Sequence, residues 1–148
     1  MGDYWTNAVR HPEDVGVGHI RRTVDLAILT NPAYATNGVP IGALEAGAVP
    51  LHCHVTVQTA FNAATTNTLD VGTTVDPDGY AAPAGTLVGA TGFKGNLTGA
   101  LTGIPLDANT IVYAKYGQSG TAATTGKAIV TLFFVNKRDH EGIPFPNN

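Results

Sequence analysis

The sequence predicts an all-β protein: an antiparallel sandwich of two sheets, with the jelly roll as the specific arrangement. Apolar and polar residues alternate with a period of two in several segments, and Gly or Pro interrupts the chain every several residues. No window repeats apolar residues at the three- and four-residue spacing of a helix. We therefore expect about eight short strands, joined by turns, and at most one short helix.

The first two strands are predicted from clear alternation. Residues 23–30 alternate apolar and polar side chains, and residues 49–61 do so over a greater length. In the longer strand the alternation directs Cys53 toward the core and His52 and His54 toward the opposite face.

The middle of the chain carries shorter signals. Residues 62–67 are predicted to be a loop, and residues 68–72 a strand with Leu69 and Val71 turned inward. The sequence Asp76-Pro77-Asp78-Gly79 fits a type I turn, with Asp at the first position, Pro at the second and Gly at the fourth. In the Gly- and Thr-rich stretch that follows, short strands are predicted at residues 86–88 and 96–101.

Two further strands close the predicted domain, at residues 110–116 and 128–135, with a loop over residues 117–127. The last strand is apolar on both faces, so it is either covered on both sides or meets a neighbouring subunit. One face holds Val130, Leu132 and Phe134, and the other holds Ile129, Phe133 and Val135.

Charge divides the chain into three parts. Residues 1–22 are predicted to be an N-terminal arm, residues 23–135 the sandwich, and residues 136–148 a C-terminal tail. The sandwich carries nine charged residues, about 8% of its length, against roughly 25% in ordinary soluble domains. So little charge indicates burial in an assembly; the other interpretation is a monomer kept soluble by hydroxyl and amide groups.

Composition excludes several classes of protein. With a net charge of -3 and eight Lys and Arg, the chain lacks the basic face of a general nucleic-acid binder. Cys53 is the only cysteine, which excludes an intrachain disulfide and a CxxC motif and suggests a reducing compartment. Residues 1–20 hold no apolar run, so we expect neither a secretory signal nor a membrane helix, and assembly in the cytoplasm.

The most suggestive chemical signal is His52-Cys53-His54, because two histidines at i and i+2 on a strand share a face and could share a metal. Cupins use such a pair. Here Gln58 stands where their carboxylate ligand belongs, and no later histidine follows within the predicted domain. We predict no metal and no cofactor.

Other motifs fail on spacing. The stretch from Gly120 to Lys127 has one residue too many for a phosphate-binding loop and precedes a strand instead of a helix. The Asp76 turn lacks the acidic first and twelfth positions of an EF-hand loop. Weak calcium binding at this turn is an alternative that the sequence does not exclude. Ser119, the only serine, lies in no nucleophile motif. No catalytic residue is predicted, and the protein is expected not to be an enzyme.

A family resemblance adds to this picture. The run from Ala60 to Gly72, the Asp76 to Tyr80 turn and the closing strand that begins Gly126-Lys127 resemble jelly-roll cement or decoration proteins of tailed-bacteriophage capsids. The resemblance implies a virion protein that binds the capsid surface and holds adjacent major capsid subunits together. It implies no nucleic-acid or membrane partner.

Contact residues are predicted on the same basis. We expect a homo-oligomer, a dimer or trimer, because an apolar last strand and a surface with few charges are typically buried against another chain. Aromatic residues supply much of the energy of interfaces; for Trp5 the alternative is that it covers its own sandwich. The predicted capsid or oligomer contacts are Trp5, Arg10, Ile129, Phe133, Val135 and Phe145.

Two other functions stay open at this point. A carbohydrate- or receptor-binding module on the same fold should expose aromatic rings such as Tyr80, Tyr113 or Tyr116 beside a cleft. A cupin-like enzyme should hold a metal on His52 and His54.

Overall fold

Antiparallel strands form two sheets that pack face to face. The computed structural model describes residues 17–83 and 87–136, and within them it contains seven strands. They are β1 (Val17–Asp25), β2 (Val39–Leu44), β3 (Val49–Thr59), β4 (Thr66–Gly72), β5 (Gly92–Leu97), β6 (Thr110–Ser119) and β7 (Lys127–Val135). One sheet has four strands in the order β1-β7-β3-β5, and the other has three in the order β2-β6-β4. The predicted fold class, an all-β antiparallel two-sheet sandwich, is confirmed.

Successive strands alternate between the two sheets, as the double-sheet arrangement of a jelly roll requires. An eighth position is occupied beside β4, where Leu87 forms an isolated antiparallel bridge with Thr68. The Val88 N–H donates to the Asn67 carbonyl, 3.0 Å away, and extends this pairing. The three-stranded sheet therefore has a minimal fourth member at its β4 edge.

The core lies between the sheets and follows the period-2 alternation of the strands. Cys53, Val55 and Val57 of β3 face it, as do Leu69 and Val71 of β4, all at most 2% exposed. This confirms the inward positions predicted for Cys53, Leu69 and Val71. Burial raises the pKa of the Cys53 thiol to about 12, so the side chain is a neutral core residue and not a nucleophile.

The beginning of the domain differs from the sequence prediction. β1 starts at Val17, so residues 17–22, expected in an arm, belong to the sandwich. It ends at Asp25, and Leu26–Leu29 form a short α-helix, α1, so the predicted strand is wrong from residue 26 onward. The Asp25 carboxylate accepts a hydrogen bond from the Ile28 N–H at 2.9 Å, which is the N-cap that starts the helix.

Two strands lie elsewhere than expected. β2 contains Pro40 and Gly42 and has no counterpart among the predicted strands. β5 covers Gly92–Leu97 instead of residues 96–101, and its pairing with β3 shifts register between Cys53 and Val55. The bulge places Asn96 at a φ of 55°, in the left-handed region that Asn tolerates better than most residues.

The remaining elements are short. A 3-10 helix, Pro32–Tyr34, follows α1, and the Gly79 N–H donates to the Asp76 carbonyl at 3.2 Å, as the predicted type I turn requires. No helix in the described part of the chain is long and apolar enough to cross a membrane.

Candidate interaction surface

The outward side of the four-stranded sheet is rich in histidine and large apolar residues. β7 lies between β1 and β3, and Phe133 pairs with His19 on one side and His52 on the other. Because these pairs have the same orientation, the side chains share one surface. We call this surface the histidine–phenylalanine face; it comprises Val17, His19, Arg21, His52, His54, Thr56, Phe93, Ile129, Thr131, Phe133 and Val135.

Aromatic rings form a continuous row across this face. The ring centroids of Phe133 and His52 are 4.9 Å apart at an interplanar angle of 27°, which is a stacked pair. His54 meets Phe133 edge-on at 4.7 Å and Phe93 at 4.9 Å, and His19 lies 6.0 Å from Phe133. Each ring of the row thus contacts at least one neighbouring ring of the face.

The electrostatics of the face are one-sided. Arg21 and three histidines contribute to it, and none of its side chains is a carboxylate; further along the same side of β1, Asp25 pairs with Lys127. Burial lowers the pKa of His54, the nearby His52 lowers it further, and a hydrogen bond that His54 donates to the Asn96 side chain opposes both effects. The lowered pKa favours the neutral form of His54, and acidification adds positive charge to a surface that already carries Arg21.

A shallow groove of about 240 Å³ opens on the face. Small-molecule sites are usually larger, at roughly 300–1,000 Å³, so the groove suits one or two inserted side chains better than a substrate. Its lining consists of His19, Arg21, His54, Thr56, Phe93, Ile129, Thr131 and Phe133.

Three of the six contact residues predicted from the sequence lie together here. Ile129, Phe133 and Val135 project from β7 onto the histidine–phenylalanine face and are partly exposed. Trp5, Arg10 and Phe145 lie outside the described residues.

The sequence reasoning missed the contributions of β1 and β5 to this face. His19 and Arg21 fell in the expected arm, although their spacing of two was a usable strand signal. Phe93, which is 64% exposed, lies in the sequence Gly92-Phe93-Lys94-Gly95, which shows no alternation.

The two histidines of the His-Cys-His motif are part of this aromatic row. Their ring centroids lie 5.0 Å apart on the outer surface of the sheet, between Phe93 and Phe133. Among residues 17–83 and 87–136, no group of three or more His, Cys, Asp or Glu side chains could hold a metal ion. Within these residues, therefore, a cupin-like metal site lacks its third protein ligand.

The three tyrosines that a sugar-binding cleft would expose lie in different parts of the structure. Tyr80 is fully buried, and Tyr116 packs 4.8 Å from Phe61 while its hydroxyl donates to Asn67 Oδ1 at 2.6 Å. Tyr113 projects from the outward side of the three-stranded sheet, away from the groove. These rings do not line a common cleft.

The acidic side chains near the Asp76 turn form a second titratable cluster. Burial raises the pKa of Asp70 to about 6, Asp78 raises it further, and Lys115 opposes the shift. Asp70 Oδ1 and the Tyr80 hydroxyl are buried without a hydrogen-bond partner. Ionisation of Asp70 is therefore unfavourable in the folded protein. This carboxyl lies on the three-stranded sheet and not on the histidine–phenylalanine face.

Solved structures share this architecture. A chain of the cyanophage Pam1 capsid asymmetric unit matches with a TM-score of 0.61 and 20% identity, over 81% of this chain and 84% of that chain. A chain of the acidic stable capsid structure of Helicobacter pylori bacteriophage KHP30 matches with a TM-score of 0.53 and 13% identity, over 83% and 90%. No protein-family model and no curated protein matches the chain. The sandwich is thus a fold that is also found in phage capsid structures.

Proposed function

We propose that this protein is a non-enzymatic structural component of a phage virion, which binds the capsid exterior and stabilises contacts between adjacent major capsid subunits. The observation that carries the proposal is the histidine–phenylalanine face: a preorganised aromatic surface on a fold shared with chains of two phage capsid structures. Rigid aromatic surfaces lose little conformational entropy on binding and supply a large share of interface energy.

The area of the face can be compared with the area of a stable protein interface. β1 and β7 have nine residues each, and four strands of that length cover roughly 19 Å by 30 Å, or about 570 Å². A stable interface needs about 800 Å² from each partner. One face is therefore smaller than a standard interface, and we expect further contacts or several copies acting together to supply the rest.

A symmetric dimer or trimer meets this requirement through multivalency. Several modest contacts made at once give high avidity, because each contact after the first forms at a high effective concentration. We expect Trp5, Arg10 and Phe145 to add contacts with the capsid or with another copy. The sparse charge of residues 23–135 fits a protein that is largely covered in its working state.

Capsid binding tests this proposal directly. Capsids that lack the protein should bind it in co-sedimentation, and negative-stain images should show added density at the junctions between subunits. Decorated capsids should also withstand heating and low salt better than bare ones. Absence of binding, together with unchanged capsid stability, would contradict the proposal.

A matched pair of variants tests whether capsid binding depends on the face. Phe133→Ser removes the central ring of the histidine–phenylalanine face and should weaken capsid binding about 10-fold or more. Ile111→Ser is the control, because Ile111 is 50% exposed on the outward side of the three-stranded sheet. If Ile111→Ser weakens binding and Phe133→Ser does not, the opposite surface is the capsid contact.

A further inference from the structure

The histidine–phenylalanine face selects its partner by charge as well as by shape. Its groove accepts an apolar or aromatic side chain between Phe93 and Phe133. Arg21 carries a positive charge beside that groove, and none of the residues that line the groove is a carboxylate. The carboxylate on the same side of β1, Asp25, lies further along the strand, where it pairs with Lys127. The complementary ligand is therefore a segment that combines aromatic rings with carboxylates.

The chain itself contains such a segment. Residues 1–16 carry Asp3, Glu13 and Asp14 against Arg10, together with Tyr4 and Trp5. Residues 137–148 balance two acidic against two basic side chains and hold one aromatic ring. Of these two ends, the N-terminal one is the electrostatic complement of the face.

The residue to which this segment is attached lies at the end of the face. Val17 pairs with Val135, and both residues belong to the histidine–phenylalanine face at one end of the sheet. Sixteen residues span at most about 50 Å, whereas the face is only about 30 Å long, as nine-residue strands require. The segment is therefore long enough to reach across a subunit boundary to the face of an adjacent copy.

We infer that residues 1–16 of one copy bind the histidine–phenylalanine face of a neighbouring copy, with Trp5 inserted in the groove and carboxylates of the segment close to Arg21. The choice of a neighbouring copy rests on the proposed function, because an exchanged segment links copies into the oligomer that capsid reinforcement needs. A face occupied in this way joins copies to each other, so the face serves capsid binding through the multivalency of the oligomer, and Phe133→Ser weakens capsid binding because it breaks that oligomer.

Trp5 makes the inference measurable, because it is the only tryptophan of the chain. In the full-length protein without capsids, at high micromolar concentration, Trp5 emission should be blue-shifted and shielded from acrylamide. On dilution the emission should shift to the red together with dissociation of the oligomer, as followed by light scattering. Raising the salt concentration should shift dissociation to higher protein concentration.

Complementation between two variants identifies the source of the segment. Phe133→Ser keeps the segment and damages the face, so its Trp5 should be exposed. Trp5→Ala keeps the face and has no tryptophan emission. Mixing the two should restore a blue-shifted Trp5 signal if the segment binds a neighbouring copy. Far-ultraviolet circular dichroism of each variant shows whether it is folded, and Ile111→Ser, with a normal Trp5 signal, serves as the control.

Three results would overturn the inference. Exposed Trp5 emission in the unmodified protein at every concentration means that the segment does not bind the face. Shielded Trp5 in a monomer, with no recovery on mixing, means that each chain covers its own face. Shielding that survives Phe133→Ser means that Trp5 lies elsewhere. Because no capsid is present, these results are independent of whether the protein reinforces capsids.

Discussion

The outward sides of the two sheets differ in character. The three-stranded sheet presents a mainly polar surface, on which Thr66 Oγ1 and Ser119 Oγ lie 2.7 Å apart and Asp70 pairs with Lys115 across the strands; Ile111 is its exposed apolar exception on β6. The four-stranded sheet presents the histidine–phenylalanine face. Both sheets cover the same core, so packing within the chain does not require this difference.

The comparison teaches where to look for function on this fold. A solvated antiparallel sheet usually alternates apolar residues inward with polar residues outward, and the three-stranded sheet largely follows this rule. The four-stranded sheet departs from it at Ile129, Phe133 and Val135. This apolar area, which the core does not use, is the area that the proposed contact would cover.

The largest expected effect is on the free energy of unfolding, and it distinguishes a core residue from an outward residue on the same strand, β7. Leu132→Ala empties a fully buried core position and should lower the free energy of unfolding by about 2–5 kcal/mol. Phe133→Ala, one residue further along β7 on the outward side, should lower it by about 1 kcal/mol. Urea denaturation of both variants measures the difference. Equal losses would mean that Phe133 serves the fold and would weaken the argument for a binding face.

A second prediction concerns the polar side. The pKa of Asp70 is raised to about 6, so the native state takes up a proton more readily than the unfolded chain does. The carboxyl therefore favours folding below the ordinary Asp range, and this advantage is lost as the pH rises through 6. Asp70→Asn should raise the free energy of unfolding at pH 7 by about 1 kcal/mol, allowing for partial exposure, and have little effect near pH 4.

Denaturation of Asp70→Asn and the parent protein at both pH values tests this prediction. Asp107→Asn is the matched control, because Asp107 is exposed in the loop before β6. A destabilised Asp70→Asn at pH 7 would show that the attraction between Asp70 and Lys115 outweighs the cost of burying the carboxylate.

The smallest expected effect concerns His54 on the histidine–phenylalanine face. Its contribution to stability depends on pH in the opposite direction to that of Asp70. The pKa of His54 is lowered, so its contribution to stability is present above the ordinary histidine range and is lost as the pH falls below it. His54→Asn should reduce the loss of stability on acidification to pH 5. Thermal melts between pH 8 and pH 5 measure it; an unchanged pH profile would mean that the rings tolerate a charged His54.

The strands that could be predicted from the sequence are those whose alternation is strong by itself. The inward positions of Leu69, Val71 and Leu132, and the outward positions of Ile129 and Phe133, follow from a period of two and agree with the structure. β2 escaped prediction because Pro40 and Gly42 are typical of turns. A side chain at Gly42 would place its Cβ 3.0 Å from Ile20 of the opposite sheet, so close packing explains the glycine.

By itself, then, the sequence determined that this is an all-β sandwich with a buried cysteine, outward histidines and a last strand apolar on both sides. Only the tertiary structure decided that His19, His52, His54, Phe93 and Phe133 meet on one face. The physical reason is that alternation sets which side of a strand a residue occupies, but the neighbours of that strand are set by pairing between distant segments. β1 and β3 flank β7 in this sheet, and that order, which no local pattern encodes, creates the surface.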